Sequence, residues 1–229
     1  MFEMTLPLNG VEFLDWSLID YEEALKNQED LVEKIHQEKI PGFIILCTHP
    51  PIVTLGRKTE PGDVFAWQGP TKEISRGGRA TYHGPSQLVI YPLLNLDLET
   101  NLETHHWPKH DVGYVMRGLE TAIINTLKNY KINSVGKTLQ KNEQTQQTSE
   151  ETGVWVESKK VASVGIGVRH WVSMHGAALN MDYDSQAFFG MNPCGFKKDV
   201  MISIEELLGK KIDQEEFKKI LMLELLKVF

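Results

Sequence analysis

Apolar positions recur at helical spacing from Asp20 to Ile40, through Tyr21, Ala24, Leu25, Leu31, Ile35 and Ile40, until Pro41-Gly42 stops the run. Phe43 to Cys47 and Ile52 to Leu55 are short apolar runs of strand length, with Pro50-Pro51 breaking the chain between them. Leu88 to Leu94, rich in Val, Ile and Tyr, predicts a further strand. Helical periodicity returns from His110 to Tyr130 through Val115, Leu119, Ile123 and Leu127. Gly153 to Glu157 and Val161 to Arg169 predict a hairpin, because Val164, Ile166 and Val168 alternate with smaller residues. Val172 to Met181 is the next strand, and Ser203 to Leu208 and Asp213 to Val228 predict closing helices.

Helices are interspersed with hairpin-like strands rather than alternating strictly with them. The pattern therefore predicts an α+β fold within the α/β class, a mixed sheet with flanking helices. With no internal repeat and no clear linker, residues 1–229 read as one domain. Lys141 to Thr152 is a polar tract of Gln, Thr, Glu and Asn, read as a mobile surface loop.

The composition, 41% apolar and 24% charged, is that of an ordinary globular protein. No stretch approaches the roughly 18 unbroken apolar residues of a membrane helix. Met1 to Gly10 carries Glu3 and no basic segment, so it does not read as a signal peptide. Together these predict a soluble, cytoplasmic protein. The net charge of −7, 24 basic against 31 acidic residues, argues against a nucleic-acid binder. Arg76, Arg79, Lys159, Lys160, Arg169, Lys197 and Lys198 could still form a local basic patch. Two cysteines far apart, Cys47 and Cys194, exclude a disulfide framework and leave room for a reactive thiol.

Three segments carry candidate chemistry. Arg76-Gly77-Gly78-Arg79-Ala80-Thr81-Tyr82-His83-Gly84-Pro85 places glycines between basic residues, where backbone can approach a ligand closely, although no Walker pattern is present. On composition alone a decorated hairpin turn is the better explanation. Lys160-Val161-Ala162-Ser163-Val164-Gly165, with His175-Gly176-Ala177-Ala178, sets small residues along two strands, leaving room either for a ligand or for close packing. Asn192-Pro193-Cys194-Gly195 holds a thiol in a turn rather than in an apolar run, which favours access. Spacing alone does not pair Lys160 with Cys194.

Together these segments, with Thr54-Leu55-Gly56-Arg57, Gly153-Val154-Trp155-Val156 and Ala178-Leu179-Asn180, resemble the lipoyl(octanoyl) transferases of lipoate biosynthesis. Order and spacing follow that family from about Thr48 to Leu208. The resemblance implies a fold shared with biotin and lipoate protein ligases. It implies octanoyl transfer from acyl carrier protein to a lysine on lipoyl domains of 2-oxoacid dehydrogenase complexes and of the glycine cleavage H protein, with no cofactor and no metal. It assigns Cys194 as the acyl-thioester nucleophile and Lys160 as the residue that lowers its pKa. Substrate binding falls to Arg76, Gly77, Gly78, Arg79, Ala80, Thr81, Tyr82 and His83, to Ser163, Val164 and Gly165, and to Gly176, Ala177 and Ala178. One position departs from the family pattern: Ser86 stands where glycine is usual, and a requirement for positive φ there would strain it.

The residue types suit such a transfer. A nearby ammonium favours a thiolate over a thiol. Exchange of one thioester for another keeps the acyl group activated without ATP. A desolvated lysine could also take the proton of the incoming amine. Amides near Cys194 or in the Gly77 to His83 loop are candidates to hold the oxyanion. Rival readings are a Cys–His hydrolase using His83 or His175, an ATP-using ligase that would not need Cys194, and a silent lipoyl-domain binder. His105, His106 and His110 lack a recognised metal-ligand spacing and read as an exposed loop.

Overall fold

The structure, a computed structural model, describes residues 10–98, 107–138 and 151–229. The polar tract over 141–150, His105 and His106, and all of the N-terminal segment before Gly10 lie outside the described residues.

The chain runs β1 (Val11–Leu18), α1 (Tyr21–Glu38), β2 (Gly42–Thr48), β3 (Ile52–Leu55), β4 (Thr71–Glu73), β5 (Thr81–His83), β6 (Gln87–Leu94) and α2 (Val112–Asn129). It continues β7 (Val135–Gly136), β8 (Gly153–Val156), β9 (Lys159–Arg169), β10 (Val172–Asn180), α3 (Ile204–Leu208) and α4 (Gln214–Val228). A seven-stranded sheet has the order β1-β2-β6-β10-β9-β8-β7, and a small sheet has the order β4-β3-β5. In the large sheet β1 and β2 are parallel and the remaining pairs antiparallel. The α+β expectation of a mixed sheet with flanking helices holds.

The central strands of the large sheet are buried on both faces, which explains why β2 and β6 read as nearly continuous apolar runs. Alternation sorts β2 cleanly. Ile44 and Leu46 join the core built with Leu119 and Ile123 of α2 and Phe217 and Leu221 of α4. Phe43, Ile45 and Cys47 face the opposite core, which Val32 and Ile35 of α1 cover. Asp20 caps α1 by accepting from the amides of Glu22 and Glu23, and Lys39 ends it in the left-handed conformation, two residues before the Pro41-Gly42 break.

Four strands escape the sequence pattern, among them the two-residue, exposed β7. β1 interleaves Glu12 and Asp15 with its buried Val11 and Phe13, as an edge strand does. β4 is short and mostly exposed. β5 lies inside the glycine-rich segment that composition gave to a turn, and all three of its residues are buried. Its alternation aims Tyr82 into a third apolar cluster with Val53, Phe188 and Met191. Ser86 is not among the residues with positive φ; its hydroxyl donates to Asp184 Oδ2 at 3.3 Å. The departure from glycine is therefore accommodated without backbone strain.

Candidate active site

A pocket opens over the face of the large sheet that α1 covers. Its wall combines the start of α1, the Arg76–His83 segment, β6, β9, β10 and the turn at Cys194. All the predicted substrate-binding residues line it except Ala80 and Tyr82, and both Cys194 and Lys160 do.

Each strand delivers its side chains by alternation, with one exception. On β9, Ala162, Val164 and Ile166 pack into the α2 core, so Ser163 and Gly165 face the pocket. Counting back by two would place Val161, not Lys160, beside Ser163. A shift in register intervenes: Trp155 pairs with Lys160 while Val154 pairs with Ala162, leaving Val161 as an extra residue buried in the α2 core. This bulge turns Lys160 to the pocket side. Val164 and Ala177 belong to the α2 core by their side chains and so meet the pocket through backbone. On β5, Thr81 and His83 face the pocket and Tyr82 faces away.

Cys194 sits in a tight turn, Pro193–Gly195, with its own backbone in the left-handed region at φ 55° and ψ 24°. Its amide donates to the Ala80 carbonyl at 2.8 Å, and the Gly195 amide donates to the Asn192 carbonyl at 3.0 Å. The sulfur lies 3.5 Å from Thr81 Oγ1 and 3.7 Å from Ser163 Oγ. Both amides at the turn are therefore committed, which removes them as oxyanion donors and leaves that role to other groups of the pocket wall.

Lys160 is 1% exposed. Its Nζ lies 5.6 Å from the Trp155 ring and 5.8 Å from the Phe196 ring. Gly153, at φ +137°, permits this packing: a β-carbon there would sit 2.9 Å from Lys160 Cε and 2.2 Å from the Ala162 carbonyl oxygen. The buried Glu120 of α2 holds that neighbourhood by accepting from the amides of Lys137, Thr138 and Gly153. Burial pushes the Lys160 ammonium below its ordinary value, opposed by the charges of Cys194, Glu120 and Glu151. Burial pushes the Cys194 thiol up, but the Lys160 charge, the Thr81 and Ser163 hydroxyls and the Arg76 charge together bring it below its ordinary value. Two buried groups thus stabilise each other's charged forms.

Arg76 does not belong to a surface patch. Its guanidinium is buried, donating to the Thr54 carbonyl at 3.2 Å, Thr54 Oγ1 at 2.9 Å and the Gly77 carbonyl at 2.9 Å. Arg169 lies elsewhere and pairs with Glu33 at 2.8 Å. The basic residues grouped by sequence are thus divided between pocket and periphery. Gly176 owes its size to strand packing, since a β-carbon would fall 1.8 Å from the Ile90 carbonyl oxygen. Gly165 faces the pocket, with Arg76 Cδ 3.2 Å from where its β-carbon would be.

Sequence reasoning did not select Tyr21, Val89 and Tyr91, which also line the pocket. They carry no signal apart from ordinary core residues in a helix and a strand. His83 and His175 line it too, and burial holds both below the ordinary histidine value, His175 at about 4. Among the described residues no histidine nitrogen hydrogen-bonds the Cys194 sulfur, so the geometry offers no Cys–His pair at the pocket.

Comparison with known proteins identifies the family. The family model of the lipoyl protein ligase A/B catalytic domain matches residues 20–226. An octanoyltransferase of Bdellovibrio bacteriovorus is 50% identical over 221 residues, covering 94% of this chain and 97% of the relative. An octanoyltransferase of Pelobacter propionicus is 33% identical over 205 residues, covering 89% and 88%. A T. acidophilum protein described as a lipoate protein ligase, solved with bound lipoic acid, shares the fold at a TM-score of 0.67 and 14% identity, covering 95% of this chain and 84% of that one. The chain therefore belongs to the octanoyltransferases of the lipoyl protein ligase A/B family and is an acyltransferase.

Proposed function

We propose that the protein moves an octanoyl group from acyl carrier protein to a lysine of lipoyl domains, through a thioester on Cys194. The acceptors are the lipoyl domains of 2-oxoacid dehydrogenase complexes and the glycine cleavage H protein, modified in the cytoplasm. One observation carries the reading: a buried thiol and a buried ammonium share a pocket, each lowering the cost of the other's charge.

In the first half-reaction the Cys194 thiolate attacks the carbonyl carbon of the donor thioester. The new C–S bond forms as the bond to the carrier's thiol breaks, and Lys160 gives that leaving thiolate its proton. Lys160 is then neutral, a state its burial favours. In the second half-reaction the acceptor amine, having lost one proton to solvent, attacks the Cys194 thioester. Lys160 takes the second amine proton as the C–S bond breaks. The products are the amide, the Cys194 thiolate and the Lys160 ammonium, which restores the starting state. Arg76, held by Thr54 and Gly77 at the pocket wall, supplies positive charge near the developing oxyanion.

Intact-protein mass spectrometry after incubation with octanoyl-acyl carrier protein, without ATP, tests this. The expected result is one octanoyl adduct on Cys194, removed by hydroxylamine and discharged onto an added lipoyl domain. No adduct on folded protein, with modification only when ATP and free acid are supplied, would replace this reading by that of a ligase.

A further inference from the structure

The catalytic turn rests on a charged pair that the chemistry above does not use. Asp63 is 1% exposed, yet it follows Gly62 in an otherwise exposed stretch. Its carboxylate accepts from Arg79 through both oxygens, from Nε at 3.0 Å and from Nη2, and also from the Glu60 amide at 2.9 Å. Arg79 Nη2 also meets Glu60 Oε2 at 2.9 Å. This is fork-to-fork pairing, in which a planar guanidinium fixes direction as well as distance.

The pair touches both segments that hold the nucleophile. The Asp63 carbonyl accepts from the Asn192 amide at 2.7 Å, and the Gly62 carbonyl accepts from Asn192 Nδ2 at 3.3 Å. Asn192 in turn receives the Gly195 amide. Arg79 neighbours Ala80, whose carbonyl receives the Cys194 amide. Finally, the Arg79 guanidinium lies flat against Gly195: a β-carbon at that residue, itself at φ +82°, would sit 2.9 Å from its Cζ, Nε and Nη1. Cys194 between them keeps a left-handed backbone, which is unfavourable for a residue with a side chain. Such a conformation persists only where its surroundings over-determine it.

We infer that Asp63 and Arg79 form a positioning clamp for Cys194: the ion pair locks the Asn192–Gly195 turn against the Ala80 carbonyl and so holds the sulfur toward Lys160. Arg79, which the family pattern groups with substrate binding, acts here through the turn. Neither residue exchanges a proton or a bond with the acyl group. Released from the clamp, Cys194 relaxes toward an ordinary backbone conformation and its sulfur leaves the field of Lys160. The inference rests on the proposed pairing of Cys194 with Lys160, and its test needs no acyl donor.

The experiment is the pH dependence of Cys194 alkylation by iodoacetamide, read by peptide mass spectrometry for wild type, Asp63→Asn and Arg79→Lys. The wild-type profile alone tests activation by Lys160, through a midpoint below that of an ordinary thiol. The difference between variant and wild type tests the clamp. Asp63→Asn should raise the midpoint by about one pH unit, cutting alkylation near neutrality about tenfold, with a cooperative melt retained. Arg79→Lys keeps a cation opposite Asp63, and so the fold, but loses the fork; its midpoint should move the same way. A folded Asp63→Asn or Arg79→Lys protein that melts lower yet keeps the wild-type profile would make the pair a stability element only and overturn the inference.

Discussion

Cys47 and Cys194 are both free and both buried, yet their environments drive them in opposite directions. Cys47 sits near the end of β2 among Ile45, Val89 and Tyr91, and burial, with the Asp15 charge, pushes its thiol far above the ordinary value. Its polar neighbour is His49 Nε2 at 3.5 Å. That histidine is itself lowered by burial, and its Nε2 lies 2.7 Å from Tyr91 Oη, so it offers no positive charge. Cys194 is buried as well, but an ammonium, a guanidinium and two hydroxyls converge on it. The contrast teaches that burial alone silences a thiol; what offsets burial at the second one is the fixed positive charge buried with it.

Removing each sulfur gives the largest separation. Cys194→Ser should abolish the acyl-thioester and lower transfer by about 10³-fold or more, while the cooperative melt is retained. Cys47→Ser should keep the adduct on Cys194 and cost about 1–3 kcal/mol of stability, since a hydroxyl is then buried in an apolar layer. An acyl adduct on Cys47 in the Cys194→Ser protein would break the comparison.

Removing the cation comes next. Lys160→Met matches the length of the chain without its charge and should turn Cys194 into a second Cys47. Transfer should fall about 10²- to 10⁴-fold, the range of acid–base groups, and the alkylation midpoint should climb. Lys160→Arg separates two roles: charge persists to favour the Cys194 thiolate, so thioester formation should survive better than discharge onto an amine, which needs a neutral group able to take the amine proton. Equal transfer rates for Lys160→Arg and wild type would end the proton-shuttle step. The pH profile of transfer follows from the same shifts. Activity rises as Cys194 loses its proton, at a pH below the ordinary thiol value, and falls as Lys160 loses its proton, below the ordinary lysine value. His83 and His175, held low by burial, should contribute no limb between pH 6 and 8.

The sequence showed the long elements closely, because each carries a full period of apolar residues: α1 was expected over 20–40 and spans 21–38, β10 was expected over 172–181 and spans 172–180. What it concealed follows from pairing rather than pattern. β5 is three residues among glycines and is a strand only because β3 lies beside it. Lys160 reaches the pocket by a bulge that strict alternation would deny, so no periodicity could place it beside Ser163. Asp63 reads as one more loop acid; only the return of the chain at Asn192, far along the sequence, reveals what it holds. Tyr21, Val89 and Tyr91 look like core, and their second exposure to a pocket is a property of the assembled face.

The finest test weighs hydroxyls against the cation. Thr81 and Ser163 bracket the Cys194 sulfur at 3.5 and 3.7 Å, positions for which Cys47 has no counterpart among its apolar neighbours. As donors they stabilise the thiolate by hydrogen bonding, which is shorter in range and weaker to sulfur than to oxygen. Thr81→Val preserves volume and β-branching on a buried strand, and Ser163→Ala removes one oxygen without disturbing β9. Each should raise the alkylation midpoint by less than Lys160→Met does, and the pair together should slow thioester formation about tenfold, equivalent to about 1.4 kcal/mol. If the double variant shifted the profile as far as Lys160→Met, the hydroxyls rather than the ammonium would be what distinguishes Cys194 from Cys47. If it shifted nothing, the buried charge would carry the whole difference, and the bulge that turns Lys160 into the pocket would be the feature on which the reactivity of this thiol depends.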